Sequence, residues 1–403
     1  MTRKETIIIL LLAAINFTHI VDFMIIMPLG KTLMRMFNVG PQEFSFVVSA
    51  YAISAFVSSF GAAFFVDRFD RKKVLLFAYL GFTIGTFLCG IAPTYTMLLA
   101  ARIVAGFFGG LIGAQVMSIV ADLLPIERRG QGMGYLMAAF SVASVVGVPL
   151  GITLASGYSW HLPFTALAGL AAIIWLLVFI YLPSVTGHIN KDKSPEVGNV
   201  YSRIFSAKIQ TKALFFSMIL MFSHFSVISL MSAYMVSNVG FSEIDVRYIY
   251  LLGGAVTIFT APLIGKVSDK VGKFKVFAFF ALFSVIPQLI LTQLGHVEMW
   301  LALILTTSFF IISGGRIIPS QALISGVVEP KYRGGFMSVN SSFQQLATGS
   351  ASFVAGLIVF ENTVTKELMN YHYVGYLGAV LSVISVWVGL SLNDRKKNKN
   401  AEY

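Results

Sequence analysis

Charged residues, glycines and prolines interrupt this chain at intervals that leave twelve apolar runs, each about twenty residues long. The runs lie near 6–29, 45–66, 74–92, 95–121, 131–157, 161–182, 213–237, 244–265, 274–295, 298–320, 335–359 and 372–392. Hydrocarbon offers a peptide group no hydrogen-bond partner, so a run of this length crosses a bilayer as a helix. Apolar residues make up 57% of the chain and charged residues only 12%, more apolar surface than a soluble domain can cover. These features predict an all-α membrane protein with twelve transmembrane helices.

The second half of the chain echoes the first. The cluster AFFVDRFDRKKVLL, from Ala63 to Leu76, is answered by GKVSDKVGKFKVF, from Gly265 to Phe277. ERRG at 127–130 is answered by KYRG at 331–334, and FTH at 17–19 by FSH at 222–224. A membrane plan used twice predicts two pseudo-symmetric six-helix bundles, 1–182 and 213–392, as transporters use. The polar stretch 183–212, with HINKDKSPEVGN, is the expected cytoplasmic linker, and 393–403 an expected basic cytoplasmic tail.

With both termini placed in the cytoplasm, all but six of the 29 lysines and arginines fall on that side. Lys31, Arg35, Arg247 and Lys366 fall outside, and Arg102 and Arg316 lie within spans. This is the positive-inside asymmetry, so the net charge of +11 reads as topology and lipid-headgroup contact rather than nucleic-acid binding. The single cysteine, Cys89, excludes an intrachain disulfide. The N-terminal MTRKE and its apolar run resemble a secretory signal, but the length of the run and Asp22 within it predict an uncleaved first helix. No nucleotide-binding loop, metal-ligand cluster or nucleophile motif is present, so neither an enzyme nor a cofactor or metal is expected.

Asp22, Arg102 and Arg316 are the charges most clearly inside spans, where each needs a partner or water. Counting about 1.5 Å per helical residue, Asp22 and Arg102 both lie about 10 Å from the outer face, so an ion pair is allowed. His19 shares a helix face with Asp22. A carboxyl in a low-dielectric wall is favoured as the neutral acid, and beside a guanidinium as the anion. Movement of the pair would therefore shift a proton, with Asp22 as carrier, Arg102 as partner and His19 as relay or substrate contact. The alternative is a structural ion pair. The echo of Asp22 in the second half is Val227, so the acid is confined to the first.

Arg316 has no acid at its depth, Glu329 and Glu361 lying near span ends; it binds an anionic substrate, meets backbone carbonyls or snorkels. Asn16, His224, Gln115, Asn340 and Gln344 are further cavity candidates, or polar bridges between helices. Gly147, Pro149 and Gly151 in GVPLG mark a kink with close helix approach. Asp67 and Asp269 end inward-running helices, where the helix dipole disfavours an anion. Each is expected to face a helix start in the other bundle, Asp67 near Gly334 and Asp269 near Gly130, as a latch or as static capping.

These residues resemble the major facilitator superfamily. Its signature G-x-x-x-D-R-x-G-R-[RK] is matched by Ala63, Asp67, Arg68, Asp70, Arg71 and Lys72, with two glycines replaced. The second copy keeps Gly265, Asp269, Gly272 and Lys275. The resemblance implies that Asp67, Arg68, Arg71, Asp269 and Lys275 form a conformational latch. Arg102 with Gly106 fits the family's R-x-x-x-G pattern, which implies proton coupling. GVPLG resembles in part the family's antiporter motif.

The reading is thus a secondary active transporter of the drug/proton or sugar efflux antiporter type, exporting a small organic compound by alternating access. Its expected partners are that compound, protons and the lipid bilayer of a bacterial inner membrane, in which a monomer functions. Proton-coupled uptake of a sugar, carboxylate or similar nutrient is the alternative within the class, and a non-transporting receptor the alternative outside it.

Overall fold

The computed structural model describes residues 2–62, 66–187, 202, 204–329 and 332–401, with backbone alone at 67, 126, 127, 129 and 393–401. Twelve long helices run through these residues: α1 (Arg3–Ile25), α2 (Pro41–Ala62), α3 (Arg71–Gly90), α4 (Tyr95–Leu123), α5 (Gly130–Gly157), α6 (Leu162–Tyr181), α7 (Lys208–Val239), α8 (Val246–Val271), α9 (Lys273–Leu291), α10 (Met299–Ser325), α11 (Arg333–Ile358) and α12 (Tyr371–Ala401). Their breaks follow sequence chemistry. Pro28 follows α1, Pro41 opens α2, Pro125 precedes α5, and Gly240 and Gly272 take positive φ beside α8. Two features were not read from the sequence, a short helix at Gly30–Phe37 and a two-stranded hairpin pairing Phe360–Glu361 with Leu368–Met369.

Eleven of the helices are long and apolar enough to cross a membrane. The twelfth, α11, carries the polar run NSSFQQ and is sheltered between α2 and α7. A helix covered by protein on two sides can carry polar groups that a lipid-facing one cannot. Phe259, Trp300 and Trp387 stand exposed on the outer surface, which hydrocarbon can cover.

In the first bundle α1 packs on α5 and α6, α3 on α4 and α6, and α2 on α4. In the second, α7 packs on α11 and α12, and α10 on α8 and α9. Glycines set the closest approaches. A Cβ at Gly106 would lie 2.2 Å from the Tyr51 carbonyl oxygen, and one at Gly110 would lie 2.3 Å from that of Ala55. Small residues of this kind let helix backbones meet directly.

The bundles meet along α2 and α11 over most of their length, from Gly356 beside Ser45 to Phe343 beside Phe56 and Phe60. The other seam, α5 with α8, is made mostly by residues 143–157. Beyond it each helix shows one buried stripe, at 132, 136 and 139 on α5 and at 264 and 268 on α8. Those parts of α5 and α8 lie towards the basic end of the molecule, each largely uncovered by the rest of the chain.

The far end is closed by charge. Lys31 Nζ meets Glu361 Oε2 at 2.9 Å, and Arg35 Nη1 meets Glu243 Oε1 at 2.8 Å. Both pairs join the short helix of the first bundle to loops of the second. Asn238 holds the hairpin by exchanging two hydrogen bonds with the Leu368 backbone.

At the basic end Asp70 caps α3 through the Lys72 amide and binds the Ser184 hydroxyl and the Val185 amide. Burial pushes its carboxyl up, but the hydrogen bonds from Ser184, Val185 and Lys72 prevail and hold it below the usual carboxylate range. A lowered folded value stabilises above the unfolded carboxylate range, and the contribution is lost as pH falls through the lowered value. Asp70→Ala is therefore expected to lower the amide-exchange protection factor of Val185 at neutral pH to the level that wild type shows only in acid.

Gly106→Ala is expected to lower the melting temperature by forcing α2 and α4 apart. Gly113→Ala on the same helix, where a Cβ meets nothing within 4 Å, should be neutral or stabilising by up to about 1 kcal/mol. Paired fluorescence melts of the two variants check this.

Candidate functional site

Pro28 lacks a backbone donor and restricts Met27, so α1 stops at Ile25 rather than at 29 as read from the sequence. The Asp22 carbonyl then belongs to a last turn whose carbonyls lack helical donors. Arg102 of α4 supplies one, its Nη1 donating to that carbonyl at 3.2 Å and to Asp22 Oδ2 at 2.9 Å. Thr86 Oγ1 of α3 donates to Asp22 Oδ1 at 2.9 Å. Tyr51 of α2 lays its ring against the guanidinium, 4.2 Å from Cζ to centroid, a cation–π contact. Four helices thus converge on one ion pair whose side chains are both 0% exposed.

His19 stands beside this pair, its ring 5.8 Å from Phe82 and 6.3 Å from Tyr51. A Cβ at Gly109 would lie 2.6 Å from Tyr51 Oη and 3.1 Å from His19 Nε2, so both polar atoms converge on the space that glycine leaves. Neither atom has a hydrogen-bond partner among the described residues.

The second buried cation is surrounded differently. Arg316 Nη1 donates to Ser382 Oγ at 2.8 Å, Ser223 Oγ at 3.0 Å and Ser284 Oγ at 3.5 Å. Ser223 and Ser382 donate in turn to the Gly378 carbonyl, and Ser284 to that of Ala281. Gln288 Nε2 donates to Ser284 and Ser382. No carboxylate is among the partners of Arg316 in the described residues, and Glu361 is engaged with Lys31 and Lys366. At the offset relating His19 to His224, Ser223 and Ser284 take the places of Thr18 and Tyr79, whose hydroxyls meet at 2.8 Å.

The other candidates distribute as follows. Asn16 donates to the Leu136 carbonyl at 3.0 Å, tying α1 to α5, and Gln344 donates to Ser217 at 2.8 Å, tying α11 to α7. Gln115 Oε1, Asn340 Oδ1 and His224 Nδ1 are buried without hydrogen-bond partners among the described residues, and the His224 ring stacks on Phe309 at 5.5 Å. Cβ atoms at Gly147 and Gly151 would meet Val21 and Ile25, so the GVPLG segment presses α5 onto α1 beside Asp22. Pro149 follows a π-helical turn, Ala143–Gly147. Of the latch candidates, Asp67 has its side chain outside the described residues, and Arg68 and Lys275 are exposed. Arg71 pairs with Asp122 within its own bundle, and Asp269 lies 3.8 Å from Lys273.

Removing one partner of a buried ion pair costs about 3–5 kcal/mol. Arg102→Gln is therefore expected to melt well below wild type, while Asp22→Asn/Arg102→Gln recovers most of the loss. A double-mutant cycle on melting temperature checks the coupling.

A family model described as Major Facilitator Superfamily matches residues 12–319 and 213–402. The MFS-type transporter YceJ of Bacillus subtilis (strain 168) is 25% identical over 388 residues, covering 94% of each chain. Multidrug resistance protein 1 of the same organism is 25% identical over 361 residues, covering 88% of this chain and 90% of its own. Among solved structures, a bacterial homolog to the human lysosomal transporter Spinster, inward-facing and occupied, superposes with a TM-score of 0.78 at 13% identity, over 98% of both chains.

Proposed function

The chain belongs to the Major Facilitator Superfamily, a family of membrane transporters rather than enzymes, and on that premise we propose that it exports a small organic compound in exchange for protons. The observation that carries this is the dry Asp22–Arg102 pair, held at the junction of four helices. The name of a relative, Multidrug resistance protein 1, supports the outward direction. We take the basic end as cytoplasmic by the positive-inside rule, in a bacterial inner membrane. The far end, closed by Lys31–Glu361 and Arg35–Glu243, is then periplasmic, and the state described is closed on that side.

The proposed cycle needs one movable proton. Opening of the far end draws α1 from α4, and the Asp22 carboxylate, losing its guanidinium in a low-dielectric wall, takes a proton from that side. Arg102 keeps the ring of Tyr51 as a partner. On return, the restored pair expels the proton towards the basic end as the compound binds. His19 and Tyr51, converging beside Gly109, are the polar groups nearest to relay that proton or touch the compound. The latch role of Asp67, Arg68, Arg71, Asp269 and Lys275 belongs to the opposite phase, when the basic end closes.

Proton release by the purified protein in detergent, across a panel of compounds, tests this. Wild type is expected to release protons on binding a transported compound, and Asp22→Asn to bind it without release. Proton uptake on binding would overturn antiport in favour of symport. Binding without any proton change in either protein would remove Asp22 from the mechanism.

A further inference from the structure

Arg316 is 0% exposed, yet only one corner of its guanidinium is satisfied. Nη1 is surrounded by the hydroxyls of Ser223, Ser284 and Ser382. Nε and Nη2 have no hydrogen-bond partner among the described residues. Those two nitrogens form one of the planar edges with which arginine grips a carboxylate through two parallel hydrogen bonds. The serines point lone pairs at the cation because their hydrogens are committed to the Gly378 and Ala281 carbonyls. They orient the guanidinium but bring no negative charge. Gln288, bound to two of the same serines, leaves its Oε1 without a hydrogen-bond partner among the described residues.

The contrast with the first bundle sharpens the point. Arg102 also leaves Nε and Nη2 without hydrogen-bond partners among the described residues, so the difference lies in charge: Arg102 is neutralised by Asp22, whereas Arg316 is a full positive charge in an equally buried interior. Unneutralised charge in such a setting is expensive, and its presence marks ligand or ion pathways. The edge, the orienting cage and the missing counter-charge together describe half of an ion pair.

We propose that the Nε/Nη2 edge of Arg316 is a binding site for a monovalent anion, either the carboxylate of the transported compound or a free halide. The site deepens the transport reading given above, since a carboxylate seated there defines the exported solute as an organic acid. Ser223, Ser284 and Ser382 are positioning residues, and Gln288 braces two of them.

The test titrates the full chain, purified in detergent, with sodium acetate, sodium benzoate or sodium chloride while its four tryptophans report the melting temperature. A saturable rise is expected in wild type, with apparent affinity at least tenfold weaker in Arg316→Gln. Gln288→Glu sets a carboxylate against two serines of the guanidinium's cage, one layer from the cation, with little change of shape. It is expected to abolish the rise while raising the melting temperature in salt-free buffer, and it keeps the test decisive should Arg316→Gln not fold. A saturable rise with acetate or benzoate assigns the site to a solute carboxylate, and one with chloride alone assigns it to a free halide. No saturable rise with any of the three, or an equal rise in Arg316→Gln, overturns the proposal. The two readings fail separately. A flat titration removes the anion site and leaves proton release at Asp22 standing, whereas absent proton release removes the coupling scheme and leaves the titration standing.

Discussion

An ionised group taken out of water costs several kcal/mol unless an opposite charge or fixed dipoles replace the solvent, and the interior of this transporter is arranged around that replacement. In the first bundle the solution is an opposite charge. Pro28 ends α1 early, which frees the Asp22 carbonyl for Arg102, and Thr86 and Tyr51 add contacts to the pair, although Nε and Nη2 of Arg102 have no hydrogen-bond partner among the described residues. In the second bundle the solution is partial, with serine dipoles in place of a carboxylate. The two halves share a plan of helices and differ in how they carry charge.

The contacts that hold the halves together are matched to a molecule that must open. At the far end the ion pairs are partly solvated, Arg35 being 66% exposed. Pairs in that setting contribute about 0–1 kcal/mol each, so the closure they provide is shallow enough to break in each cycle. Within the bundles, by contrast, glycines such as Gly106 and Gly110 bring backbones to van der Waals distance, where any separation loses dispersion contacts along the whole seam. A firm α2–α4 seam with a weak gate between the bundles suits the proposed cycle, in which α1 alone shifts against α4.

Much of this was legible in the sequence. The twelve runs gave the helices, because the length needed to cross hydrocarbon is fixed by physics. The depth of Asp22 and Arg102 allowed their pairing, because a helix rises by a constant amount per residue. Thr86 and Tyr51 were not legible, since a lone hydroxyl in an apolar helix carries no periodic signal. For Asn16 the sequence leaves a cavity role and a bridge between helices both open, since a helix face does not reveal whether a neighbour or water lies opposite; in the structure its amide donates to the Leu136 carbonyl. Lys31 and Arg35 stood out as exceptions to the charge asymmetry, and the acids that account for them lie in distant loops. The serine cage of Arg316 spans three helices. Its one trace in the sequence was the echo that sets Ser223 and Ser284 where Thr18 and Tyr79 stand.

The unequal charging of the two bundles also decides how they respond to membrane voltage. A transmembrane potential exerts no net force on the Asp22–Arg102 pair while both groups are ionised, but it acts on an isolated guanidinium with about 2.3 kcal/mol per elementary charge per 100 mV across the full drop. Any displacement of Arg316 along the membrane normal as the second bundle rocks therefore gives the exchange between open states a voltage dependence in proportion to the fraction of the field crossed. An anion seated at Arg316 cancels that charge, so the loaded and empty carriers sense the same potential differently.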